Sequence, residues 1–228
     1  MFLQKNQPHD LVIILLQKNK LICAALNKNT HKLYTLKHFS AINIPCFAVT
    51  GSLINTTLIG THIEAFMRKF ILKKSFISVM CDDPIIQEGF ATTINASAHQ
   101  YLHNNVTIPH TSLNSIYLGP YQDAFLHWWH RISYPLILQI QLIAHTHALN
   151  VIRILSPFPL VLETYKKVRG TTFHPVQLIS DLERSNFELV STLDSSVLKT
   201  FLYYDTYAKD IDPKTIATLI GAALYEGY

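Results

Sequence analysis

The chain has 228 residues, of which 49% are hydrophobic and only 15% charged: ample material for one substantial domain or two small, closely packed ones. Its three cysteines, Cys23, Cys46 and Cys81, are odd in number and include no close pair, which argues against a disulfide scaffold and for a reducing compartment. A net charge of +4 with no long Lys/Arg block argues against a dedicated nucleic-acid surface, and a mean hydropathy of +0.18 leaves apolar surface for a partner.

The first residues lack the order of a signal peptide, so no export signal is expected. The apolar run 11–16 is too short to span a bilayer, and 135–149 is broken by Gln139, Gln141, His145 and His147. Residues 11–16 and 21–26 read as two strands joined by a short turn, with 33–39 as a third. A connection containing Pro45 and Gly51 follows. Then Leu58, Ile59, His62, Ile63, Phe66, Met67, Phe70 and Ile71 trace a helical face, with Lys73 and Lys74 suited to its C-terminus. Residues 76–80 read as a strand, and Asp82–Asp83–Pro84 as its turn.

Residues 88–120 read as an irregular connection or edge. Residues 122–133 are expected to form a helix whose face carries Phe125, Trp128, Trp129 and Ile132. Pro135 opens the next helix, 150–155 is a strand, and 160–169 a helix closed by Gly170. Another helix runs from Pro175 through Arg184. Asp212 caps and Pro213 starts a final apolar helix over 214–225. The expected organisation is an N-terminal α/β subdomain (1–87), the connection (88–120), and a C-terminal α/β portion (121–228) packed in the same scaffold. The fold class is α/β, a mixed sheet flanked by helices.

Twelve histidines invite a metal search. His99 with His103, and His127 with His130, have helical spacing, whereas His145 and His147 would diverge. Zinc requires three or four ligands, and neither HExxH nor paired cysteines occur, so structural or surface roles are expected. Asp82 and Asp83 are strand-end carboxylates that suit a turn as readily as a magnesium site. No GxGxxG, GxxxxGK[ST] or GxSxG sequence occurs, so no catalytic residue is nominated. Residues 117–130 form the most individual segment, which ends in His127, Trp128, Trp129 and His130. These four are the candidate partner contact, with core packing as the alternative.

In pattern and order, LVIILLQKNKLICAALNKNTHKLYTLKHF, the helix–strand segment from Gly51 to Glu88, the segment from Tyr121 to Leu182, and the terminal IDPKTIATLIGAALYEG resemble the PilM-like (HofM-like) pilus-assembly proteins. The resemblance implies a reduced actin-like, ribonuclease H-like architecture. It also implies a cytoplasmic adaptor, peripheral on the inner membrane, that binds the cytoplasmic tail of an inner-membrane partner in type IV pilus, competence or type II secretion assembly. Many actin-like proteins hold Mg-ATP at Asp-x-Gly turns. The first turn here has neither acid nor glycine, and no glycine follows residue 185 until Gly221. The leading expectation is therefore a non-enzymatic adaptor with no cofactor. A divergent actin-like ATP-binding protein or ATPase is the alternative, and a DNA-binding accessory factor ranks last.

Overall fold

The computed structural model describes residues 11–28, 34–72, 75–82, 87–94, 111–170, 173–184, 189–204 and 211–225. Its centre is the strand β1 (Leu11–Gln17), whose first six residues are buried. Both faces of this strand are covered, so it reads as a continuous apolar run rather than an alternating one. The turn Lys18–Asn19 leads into β2 (Lys20–Lys28), which pairs antiparallel with β1, and β2 pairs antiparallel with β3 (Tyr34–Ile42). Helix α1 (Thr56–Lys69) then crosses to β4 (Phe76–Asp82), parallel to β1.

Two strands expected to be irregular and one expected to be helical come next. β5 (Gln87–Thr93) and β6 (Thr111–Tyr121) fall within the stretch read as a connection; residues 95–110 lie outside the described ones. Residues 124–133 are not helical but form β7 (Ala124–Ser133), the middle strand of a three-stranded antiparallel sheet ordered β5-β7-β6. The spacing of Phe125, Trp128, Trp129 and Ile132 mimics a helical face. A middle strand carries large side chains on both faces, and that erases the period-two signal.

Ser133 then caps α2 (Tyr134–Thr146), its hydroxyl accepting from Leu136 N at 3.4 Å, with proline in the first turn. β8 (Val151–Leu155) pairs parallel with β4. Helices α3 (Phe158–Arg169) and α4 (Pro175–Arg184) follow, with Gly170 closing α3 at φ 59°. A 3-10 turn (Leu189–Thr192), the short α5 (Ser195–Phe201) and β9 (Leu202–Tyr204) were not anticipated. The last helix, α6 (Pro213–Tyr225), is capped by Asp212, which accepts from Thr215 N at 2.9 Å and from the Thr215 hydroxyl at 2.7 Å. The expected basic C-terminus of α1 is supplied by Arg68 and Lys69; Lys73 and Lys74 lie outside the described residues.

The main sheet runs β8-β4-β1-β2-β3-β9. Val12, Ile14 and Leu16 face a core with α1 and α2 (Ile59, Ile63, Ile140, Ile143). Leu11, Ile13 and Leu15 face the other, built with α3, α4 and α6 and entered by Leu126 and Trp128 of the small sheet. On that side α3 and α6 meet at backbone contact. A Cβ on Gly221 would collide with the backbone of Leu160, and the Thr164 hydroxyl donates to Ala217 O at 2.7 Å. Asp181 is buried and accepts from the Tyr165 hydroxyl, Arg169 Nη2 and Gln177 Nε2, each at 2.7 Å, tying α4 to α3. Burial pushes this carboxyl up, but those three donors outweigh it and hold it below the usual range.

Two measurements check this packing. Gly221→Val should cost about 3 kcal/mol in urea unfolding, because the helix pair has no slack to absorb a side chain. His130 is buried at 1% exposure, and burial pushes its imidazole pKa down to about 4. Above pH 6.5 both folded and unfolded states hold it neutral. As pH falls from 6.5 to 4 only the unfolded chain takes the proton, so stability should drop by about 3 kcal/mol over that window. His130→Gln should flatten that part of the stability profile.

Candidate functional site at the strand ends and the outer face of the small sheet

Strands β1, β4 and β8 run parallel, and their carboxyl ends lie together. Gln17 is in register with Asp82, and Ser156 follows β8 directly. α6 starts beside them. Lys214, in its first turn, donates to both carboxylate oxygens of Asp82 at 2.9 Å. The buried Ser156 hydroxyl donates to Glu88 Oε2 of β5 at 3.0 Å, linking the small sheet to the same end. Glu88 is exposed as a residue, yet its carboxyl lies against the sheet end. Desolvation there raises its pKa above the usual range, with Asp82 adding to the rise and Ser156 and Lys214 opposing it.

Open α/β sheets bind ligands at such strand ends, and an actin-like fold implies Mg-ATP there. Among the described residues, those at the strand ends do not fit that group. Asp82 is held on both oxygens by an ammonium, and Asp212 is spent on capping. The turn Lys18–Asn19 offers side chains rather than a glycine backbone to an approaching phosphate. Asp83 lies outside the described residues. Among the described residues no group of three or more His, Cys, Asp or Glu could hold a metal ion. The cysteines are buried, and desolvation pushes Cys23 up to about 12 and Cys46 up to about 11, the opposite of a nucleophilic thiol.

The four residues singled out in the sequence are split by the strand. Trp128 and His130 point into the body with Leu126 and Ile132; Trp128 is 1% exposed and stacks on Phe158 at 5.1 Å. His127 and Trp129 lie on the opposite face with Phe125 and Arg131. The exposure that Trp128 would need for partner contact is absent, and His127 with His130 cannot share a ligand across the sheet. His147 pairs with Glu64 at 2.7 Å, while His99, His103 and His110 lie outside the described residues.

That opposite face has a consistent chemistry. Tyr117 is exposed and lies 6.0 Å from Phe125 and 5.4 Å from His127, ring to ring. Trp129 is half-buried over Gly89, where a Cβ would sit 3.2 Å from the indole. The Arg131 guanidinium lies 5.8 Å from the Trp129 ring centroid. Arg131 and His127 are buried, yet Arg131 Nε and Nη1 and His127 Nε2 have no hydrogen-bond partner among the described residues. The candidate contact read from the sequence left out Arg131 and Tyr117, because only strand register places them beside Trp129.

No protein-family model and no curated protein matches the sequence. Solved structures are similar in fold. A chain of the PilM–PilN type IV pilus biogenesis complex superposes with a TM-score of 0.57 at 9% identity, over 95% of this chain and 74% of that one. The cytoplasmic domain of EpsL, an inner-membrane component of the type II secretion system of Vibrio cholerae, gives 0.44 at 8% identity, over 67% of this chain and 58% of that one. Thermus thermophilus RuvC gives 0.41 at 9% identity, over 96% and 95%. The chain has a mixed α/β fold similar to that of a chain of the PilM–PilN complex.

The Asp82–Lys214 pair joins partly exposed groups, so its net worth is small. Lys214→Met should lower stability by about 1 kcal/mol or less at low salt, and the difference should shrink as salt rises.

Proposed function

We propose that this chain is a non-enzymatic cytoplasmic adaptor that holds the cytoplasmic tail of an inner-membrane protein in a type IV pilus, competence or type II secretion assembly. The likeness in fold to a chain of the PilM–PilN complex supports the setting. The strand-end carboxylate held by Lys214 supports a scaffold that works without nucleotide. Among the described residues no helix is long and apolar enough to cross a membrane, so a membrane partner would supply the attachment.

The observation that carries the contact surface is the exposed Tyr117 ring beside Phe125, on the same sheet face as the half-buried Trp129. Exposed aromatic rings are among the side chains that dominate protein interfaces. The docked segment would lie across the outer face of β7, away from the core that Trp128 fills.

The test uses purified, monodisperse protein. Isothermal titration with Mg-ATP, with EDTA-treated controls, should give no saturable heat; magnesium-dependent binding would instead favour the ATP-binding alternative. Capture with the cytoplasmic tails of inner-membrane pilus and secretion proteins should succeed, and Tyr117→Ala or Trp129→Ala should weaken it at least tenfold while leaving the protein folded. Trp128→Ala should act differently, lowering stability by about 3–5 kcal/mol. Tails that bind the Tyr117 and Trp129 variants as well as the parent would rule out this face.

A further inference from the structure

Residues 38–63 and residues 132–152 carry no Asp, Glu, Lys or Arg. The fold brings them side by side. Gln139 of α2 accepts from Leu53 N at 2.9 Å and donates to Leu53 O at 3.3 Å, just before α1 begins. At the other end His147 follows α2, bonds Glu64 of α1 and packs against Gly60. The two helices therefore run parallel, and the exposed side of their first halves is uncharged.

On that side α2 presents an unpartnered apolar ridge. Leu136, Ile140, Ile143 and Ala144 are buried, while Tyr134, Leu138 and Leu142 are 49%, 63% and 66% exposed. Their spacing of four residues makes them one row of the helix surface. Three large apolar side chains in a row, on a helix with no charged residue, do not match an ordinary solvated face.

We propose that this ridge is a self-association surface, on which two copies of the chain meet about a two-fold axis at Leu138. The row is symmetric about that residue: antiparallel pairing sets Tyr134 against Leu142 of the second copy and Leu138 against itself. Two identical four-residue ridges interdigitate in the commonest class of helix packing, at about −50°, and a two-fold contact must be self-complementary in this way. Charge selects the same occupant. Each copy carries +4, and on this face two copies meet without opposing like charges. A lipid surface would call for Lys or Arg beside the apolar row, and none occurs between Arg131 and Arg153.

The exposed parts of the three side chains offer roughly 350 Å² per copy, against about 800 Å² per partner in a standard interface. The exposed, uncharged Gln141 and Thr146 of α2 and Thr57 and Thr61 of α1 widen the contact. An association of this size is reversible and micromolar at best.

Sedimentation of the full chain across roughly 1–300 μM tests the proposal. The weight-average mass should rise toward a dimer, and Leu138→Glu, which sets two carboxylates against each other at the axis, should weaken dimerisation at least tenfold with an unchanged circular dichroism spectrum. Independently, Leu138→Cys should give a disulfide-linked dimer under mild oxidation, whereas Val176→Cys, also exposed, should not; the native cysteines are buried and give no background. A parent chain that stays monomeric throughout would overturn the proposal. So would dimerisation unaffected by Leu138→Glu, equal cross-linking of the two cysteine variants, assembly beyond a dimer, or loss of the ridge to phosphatidylglycerol vesicles rather than to a second copy.

Discussion

Burial of β1 on both faces is the constraint from which the rest of the structure follows. Leu11–Leu16 carries no polar side chain, and every one of its six residues is buried. Such a strand is stable only if both sides of the sheet are covered, so the fold must be three layers deep. Alternate side chains divide between the two cores, one closed by α1 and α2, the other by α3, α4 and α6. The parallel pairing of β1 with β4, and of β4 with β8, follows from the helical crossovers that supply those layers. That pairing in turn gathers three strand ends at one edge of the molecule.

What stands at that edge is decided by how α6 is held. Gly221 lets α6 approach α3 to backbone distance, and the Thr164 bond to Ala217 fixes the crossing. With the helix fixed and capped by Asp212, Lys214 reaches the end of β4, where it pairs with Asp82. The carboxylate at that strand end is thereby paired with an ammonium of the protein itself. The same helix packing that completes the core thus sets the chemistry of the strand ends.

The small sheet and the α1–α2 layer leave different surfaces. One side of β7 is core, with Trp128 stacked on Phe158; the other holds Tyr117, Trp129 and Arg131. The α2 ridge is apolar and free of charge. The first suits a partner that packs on aromatic rings, the second one that brings an uncharged apolar ridge of its own. These two surfaces are chemically distinct enough not to compete for the same segment.

Much of the fold is legible in the residues. The apolar runs of β1 and β2, the helical face from Ile59 to Met67, Pro135 opening α2, Gly170 closing α3 and the Asp212–Pro213 start of α6 are local devices, and local devices are written in local sequence. β7 was not legible as a strand, because two neighbours and two filled faces gave its large residues a spacing that a helix would also have. The roles of Trp128 and Trp129, adjacent in the chain, could be separated only by the pleat that sends them to opposite faces. The same holds for Asp82 and Lys214, 132 positions apart, and for Leu53 and Gln139, 86 apart. The sequence by itself determined which segments could be helix or strand and that a large core would form. Only the tertiary structure decided which side chains share a face, because those contacts depend on strand register and helix crossing rather than on any neighbour in the chain.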